Sequence, residues 1–175
     1  MIRLPQNHGK TVYLISGPVG VGKSTTAGEL SRTLQGAAVR LEGDLLMHMP
    51  VQEVPWEKLI SMTWENIVLL TRNFLVHGFD VVVDYVVEEE LMWFCEKLKD
   101  LDVDIRYIVL WADETALSQR LKKRGDEYLI NRSVFLMQKL ANLEINRQHL
   151  LDISSMETAE VVASILSDSR YSLKF

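Results

Sequence analysis

The segment "SGPVGVGKST", Ser16 to Thr25, directly follows the apolar run "TVYLI". A short continuous apolar run closed by glycine predicts a strand buried on both faces. Lys23 to Leu34 then reads as a helix, with Gly36 placed to end it. A strand, a glycine-rich turn and a helix in that order leave few folds open. Gly17 to Ser24 also matches G-x-x-x-x-G-K-[ST], and each part has a reason. The glycines let the backbone turn sharply and aim its N–H groups at an anion. The helix start adds unpaired N–H groups and a positive dipole end. Lys23 can reach the outer phosphates of a nucleotide, and the Ser24 hydroxyl suits Mg²⁺. Gly17, Pro18, Val19, Gly20, Val21, Gly22, Lys23, Ser24 and Thr25 are therefore expected to hold nucleotide phosphates. The alternative is a chance glycine-rich turn; the strand before it and the helix after it weigh against that.

The same alternation continues. Strands are expected at Ala37 to Leu41, Phe79 to Asp84, Ile105 to Ala112 and, briefly, in "LLDIS". Helical spacing of Trp56, Ile60, Trp64, Ile67, Leu70 and Phe74 predicts a long helix stopped by Gly78. Further helices are expected from Glu88 to Leu98, from Asp113 to about Arg124, and from about Val134 to His149. A last helix runs through Leu166, with Ser154 and Glu157 at capping-box spacing before it. This predicts an α/β fold: a five-stranded parallel sheet with helices on both faces, in one domain over residues 1–175. Ligands bind such sheets beyond the carboxyl ends of the strands.

Asp84, closing "VVVD", is expected to hold the shell of a Mg²⁺ ion with Ser24; a solvated strand end is the alternative. Asp44, in "LEGD", follows the second strand, where it either serves the site or caps the helix "LLMHM". Arg120 and Arg124 lie four apart on one helical face, with Lys122 and Lys123 pointing elsewhere. They suit a phosphate site, or a basic terminus that complements the helix dipole.

These features together resemble the small phosphate-loop (P-loop) kinases related to adenylate, shikimate and gluconate kinases and chloramphenicol phosphotransferase. "EGDLLMHMP", "VVVDYV" and "RGDEYLINR" most resemble the chloramphenicol phosphotransferase pattern. The resemblance implies the three-layer P-loop fold, ATP and Mg²⁺, and phosphate transfer to the hydroxyl of a small molecule. It implies that Asp44 faces the acceptor hydroxyl, and that Lys23, Arg120 and Arg124 act on the transferring phosphate. A basic lid over about residues 120–135 would fold over the triphosphate, and about Asp152 to Ser154 would contact adenine. The turn after the third strand is "DYVVEEE", without the G-x-P-R of nucleotide monophosphate kinases or the glycine-rich turn of shikimate kinases. No guanine-reading N-K-x-D is present. A regulatory ATPase that binds nucleotide without transferring phosphate is the second reading.

Met47, His48, Met49, Trp56, Met62, Trp64 and Tyr85 are expected to line the acceptor pocket; the alternative is that methionine and tryptophan at helical spacing simply fill the core. Arg72 is the only arginine between Arg40 and Arg106. So few cations point to a neutral or partly apolar acceptor. A net charge of −5 argues against nucleic acid or an anionic membrane as partner. A single cysteine suits the reducing cytoplasm, and "MIRLPQNHGK" carries no apolar leader. Monomer and homodimer both stay open.

Overall fold

The computed structural model describes residues 9–49 and 52–173. The leader expectation concerns the first ten residues, of which 1–8 lie outside that description. The chain runs β1 (Lys10–Ser16), α1 (Lys23–Thr33), β2 (Ala38–Glu42), α2 (Gly43–Met47), α3 (Trp56–Val76) and β3 (Asp80–Asp84). It continues through α4 (Leu91–Glu96), β4 (Val103–Trp111), α5 (Glu114–Arg124), α6 (Ile130–Asn142), β5 (Leu150–Asp152) and α7 (Thr158–Ser167). All sheet pairings are parallel, in the order β2-β3-β1-β4-β5.

Alternation along β1 builds the layers. Val12 and Leu14 pack with Val81, Val83, Ile105 and Tyr107 against α3 and α4 on one face. Tyr13 and Ile15 pack with Val82, Ile108 and Leu110 against α1, α5 and α7 on the other. Both faces of β1 are thus covered, as its unbroken apolar run requires. Register brings the strand ends level: Ile15 pairs with Asp84, and Asp84 with Glu42. The segments leaving β1, β2 and β3 therefore emerge side by side.

Four local expectations are corrected. The helix α6 begins at Ile130, four residues before Val134, and stops at Asn142. Glu144–His149 is 3-10 helix instead, pinned by buried Asn146, which bonds to Tyr107 and to the Leu140 carbonyl. The helix expected from Glu88 is only Leu91–Glu96, because the Glu90 carboxylate folds back to accept the N–H groups of Glu88 and Glu89. The capping box of α7 is made by Glu157 and Glu160. Ser154 instead accepts the N–H of Asp113 and donates to Asp152, joining the ends of β4 and β5.

Candidate active site

The loop between β1 and α1 is shaped by left-handed glycines. At Gly17 (φ 145°) a Cβ would lie 2.6 Å from the Leu110 carbonyl oxygen; at Gly20 (φ 79°) it would lie 2.6 Å from Leu121 Cδ2. Only glycine combines those backbone angles with that close approach. Val21 is fully buried and anchors the loop to the core. Three side chains, two of them distant in sequence, fasten it. Ser16 accepts the Val87 N–H at 2.9 Å, tying β1 to the loop after β3. Ser133, on α6, donates to the Val19 carbonyl at 2.6 Å. Arg120, on α5, donates to the carbonyls of Val21 (2.8 Å) and Ile153 (2.9 Å).

Lys23 opens α1 and folds its ammonium over the loop, donating to the carbonyls of Gly17 and Pro18 at 3.1 Å. Burial lowers its pKa, and the Asp84 and Asp44 carboxylates pull it back up. Asp84 is itself buried, and that burial raises its pKa; the Ser24 side chain and Lys23 oppose the rise, while Asp44 and Glu42 add to it. Lys23, Ser24, Asp44 and Asp84 thus share one electrostatic neighbourhood at the ends of β1, β2 and β3. Asp44 lies in the first turn of α2, whose N-cap is Glu42 and has no side-chain capping bond. The capping alternative for Asp44 is not what the fold uses. Its carboxylate is exposed and lines a cavity.

Two cavities flank the phosphate loop. One, of about 300 Å³, lies against Gly20, Gly22, Thr25, Arg120, Arg124 and Ile153. Lys123 reaches it too, although helical spacing directed it elsewhere. The other, of about 580 Å³, takes in Val19, Asp44, Met47, Trp64 and Tyr85. Trp64 and Tyr85 meet edge-on at 5.4 Å. Burial pushes the Tyr85 phenol up to about 12, with Asp44, Glu90 and Glu88 adding to the shift.

Of the expected acceptor-pocket side chains, Met47, Trp56, Trp64 and Tyr85 line this cavity; His48, Met49 and Met62 do not. Arg72 is spent elsewhere, donating from both terminal guanidinium nitrogens to the Asp100 carboxylate. Arg132, Lys139 and Glu88 to Glu90 also line it. The pocket therefore holds more charge of both signs than its nearby sequence suggested. These groups come from β3's exit and α6, some fifty residues apart. The sequence signal was weak: "EEE" reads as the start of a helix and "INRS" as a polar stretch before one. Arg124 is largely exposed (60%) and pairs with Asp126 at 3.0 Å. Among the described residues, no helix is long and apolar enough to cross a membrane.

No curated protein matches the sequence. Solved structures do match along nearly the whole chain. The tunicamycin resistance protein of Deinococcus radiodurans is 18% identical, with TM-score 0.67 over 90% of this chain and 94% of that one. The APS kinase of Mycobacterium tuberculosis, in complex with AMPPNP and APS, is 18% identical, with TM-score 0.70 over 90% and 95%. A gluconokinase from Sinorhizobium meliloti is 18% identical, with TM-score 0.58 over 95% and 92%. At such identity these likenesses show a shared fold, the P-loop kinase-like fold expected from the sequence. The model of one sequence family, described as an AAA domain, covers residues 12–142, well over half of the chain. The chain belongs to that AAA domain family, with the P-loop fold of small-molecule kinases.

Proposed function

We propose that this protein is an ATP- and Mg²⁺-dependent phosphotransferase that phosphorylates a hydroxyl of a small molecule. The observation that carries the reading is the pair of cavities on either side of the phosphate loop, with Asp44 in the one away from Arg120. A nucleotide-binding ATPase without an acceptor has no use for a second cavity of about 580 Å³ beside its phosphate loop.

The roles follow from placement. The loop N–H groups of Gly17 to Thr25 and the Lys23 ammonium bind phosphate oxygens; Arg124, at the rim, adds charge where the transferring phosphoryl group lies. Arg120 acts on that group through the loop it braces. Asp44 accepts the acceptor's proton as the hydroxyl oxygen bonds to the γ-phosphorus, while the bond from that phosphorus to the β–γ bridging oxygen breaks and ADP leaves. The residues suit Mg²⁺. Among the described residues no three His, Cys, Asp or Glu side chains form a self-contained metal site. Mg²⁺ needs none, since it takes one or two protein oxygens and completes its shell from phosphates and water. Ser24 and Asp84 are those oxygens here. When bound, the ion neutralises phosphate charge. The segment at Ile153, on the floor of the smaller cavity, is the adenine contact. One buried cysteine and a net charge of −5 suit a cytoplasmic enzyme whose partner is a small molecule, not nucleic acid.

The test is ATP turnover with and without a panel of sugars, sugar acids, nucleosides, aminoglycosides and phenicols. Stimulation by one class, with phosphate recovered on that compound, is expected. Steady ATP hydrolysis that no hydroxyl compound alters would leave the ATPase reading in its place.

A further inference from the structure

Beside the acceptor cavity lies a hollow of about 420 Å³ that shares Trp56, Glu57, Ile60, Trp64 and Glu90 with it and adds Trp93. Three of the chain's four tryptophans meet there. Trp64 is buried and fixed edge-on by Tyr85 and Phe94, so it forms the floor. Trp56, the first residue of α3, is 60% exposed, and Trp93 is 38% exposed. Indoles left that open are not serving the core. An indole face attracts a cation held within about 6 Å of the ring. Trp93 already does this on the outside: the Lys97 ammonium stands 5.6 Å from its ring centroid, and Lys97 takes no part in lining the hollow.

The charges nearby have one sign to spare. Glu88 binds Lys139 at 2.5 Å and stands 4.0 Å from Arg132, and against these two cations the cavity wall sets five carboxylates, Asp44, Glu57, Glu88, Glu89 and Glu90. Among the described residues, Asp44, Glu57, Glu89 and Glu90 have no ion-pair partner. Glu90 uses Oε2 for two backbone N–H groups, and neither bond takes Oε1. A carboxylate or phosphate on the acceptor would meet these groups at a cost. A neutral acceptor would leave a wall of indoles and carboxylates without a partner.

We propose that the acceptor is a hydroxyl compound bearing an ammonium group, such as an amino alcohol, amino sugar or aminocyclitol, with its cation held by Trp56, Trp93, Glu57 and Glu90 and its hydroxyl toward Asp44. The cationic end rests on the hollow alone; the hydroxyl end rests on the phosphotransfer reading.

The two ends are tested separately. Intrinsic tryptophan fluorescence of the full chain, without nucleotide, is titrated with choline and with 3,3-dimethylbutan-1-ol, which has the same shape without the charge. Choline should saturate at a concentration at least about tenfold below that of the alcohol. Glu57→Gln should remove most of that preference, and Trp56→Ala should do the same with circular dichroism unchanged. No saturable choline response, no preference over the alcohol, or a preference that survives both Glu57→Gln and Glu90→Gln overturns the proposal. Phosphate transfer from ATP is then compared for glucosamine, glucose and glucuronate. Transfer favouring glucose or glucuronate sinks the cationic class and leaves phosphotransfer standing. Choline preference with transfer to no hydroxyl compound sinks phosphotransfer and leaves the cation site standing.

Discussion

Arg120 ties the phosphate loop to the segment after β5: its guanidinium donates to the Val21 carbonyl at 2.8 Å and to the Ile153 carbonyl at 2.9 Å. Its neighbour on the same helical face, Arg124, makes only an exposed pair with Asp126. The two arginines should therefore separate in experiment. Arg120→Ala leaves two carbonyls without a charged donor, a cost of about 1–3 kcal/mol. For a chain of this length that lowers Tm by roughly 2–4 °C per kcal/mol, and nucleotide affinity should fall with it. Arg124→Ala should leave Tm nearly unchanged, since an exposed pair contributes little. Its kcat should fall by ~10²-fold or more. Thermal melts beside steady-state kinetics check both. An Arg124→Ala protein that melts early and turns over normally would mean that Arg124 is a structural residue.

Gly43 explains the glycine of "LEGD". A Cβ there would fall 2.8 Å from Tyr85 Cβ and closer still to its ring carbons Cγ and Cδ2. Tyr85 has little room to yield, being buried against Trp64, and its ring lines the larger cavity beside the phosphate loop. Gly43→Ala should cost about 1–3 kcal/mol by overpacking. It should also raise the acceptor KM more than the ATP KM. A variant as stable and active as wild type would show that the ring has room to shift.

The sheet and the phosphate loop were legible because their signals are local. "TVYLI" has no polar face, so it must be covered on both sides, and the glycines of the loop stand at fixed offsets from Lys23. The far wall of the site was not legible. Ile130 to Ser133 looks polar and therefore like a break, yet it is the first turn of α6. Its polarity serves partners that sequence spacing does not reveal: Ser133 reaches Val19, 114 residues away, and Arg132 faces Glu88. The same holds for Ser154, whose capping-box spacing is real but whose hydroxyl is taken by Asp113 across the sheet. The three glutamates were read as the start of a helix, whereas Glu90 folds back on its own backbone and Glu88 receives Lys139.

Cys95 is buried between α4 and the sheet, and burial pushes its thiol from 9.0 up to about 12. A neutral, enclosed thiol is a poor nucleophile. At pH 8 Ellman's reagent should leave the folded protein unlabelled and modify one thiol per chain once guanidinium unfolds it. Between pH 9 and 12 the folded chain keeps a proton that the unfolded chain has lost, so this group lowers stability as pH rises through that window. Rapid labelling of the native protein would contradict this burial.

Asp44 and Asp84 carry the central claim. Asp44 caps nothing, lines the larger cavity beside the phosphate loop and shares the neighbourhood of Lys23 with the buried Asp84. The decisive measurement is steady-state phosphate transfer by Asp44→Asn and Asp84→Asn, beside titrations of ATP·Mg²⁺ binding on the same preparations. Asp44→Asn should cut kcat for transfer by ~10²-fold or more while nucleotide affinity stays near wild type, because it removes the proton acceptor and little else. Asp84→Asn should instead shift the Mg²⁺ dependence to higher concentration. Wild-type kcat in Asp44→Asn would contradict the assignment of Asp44 as the base, and with it the claim that the cavity beside the phosphate loop is where a hydroxyl is phosphorylated.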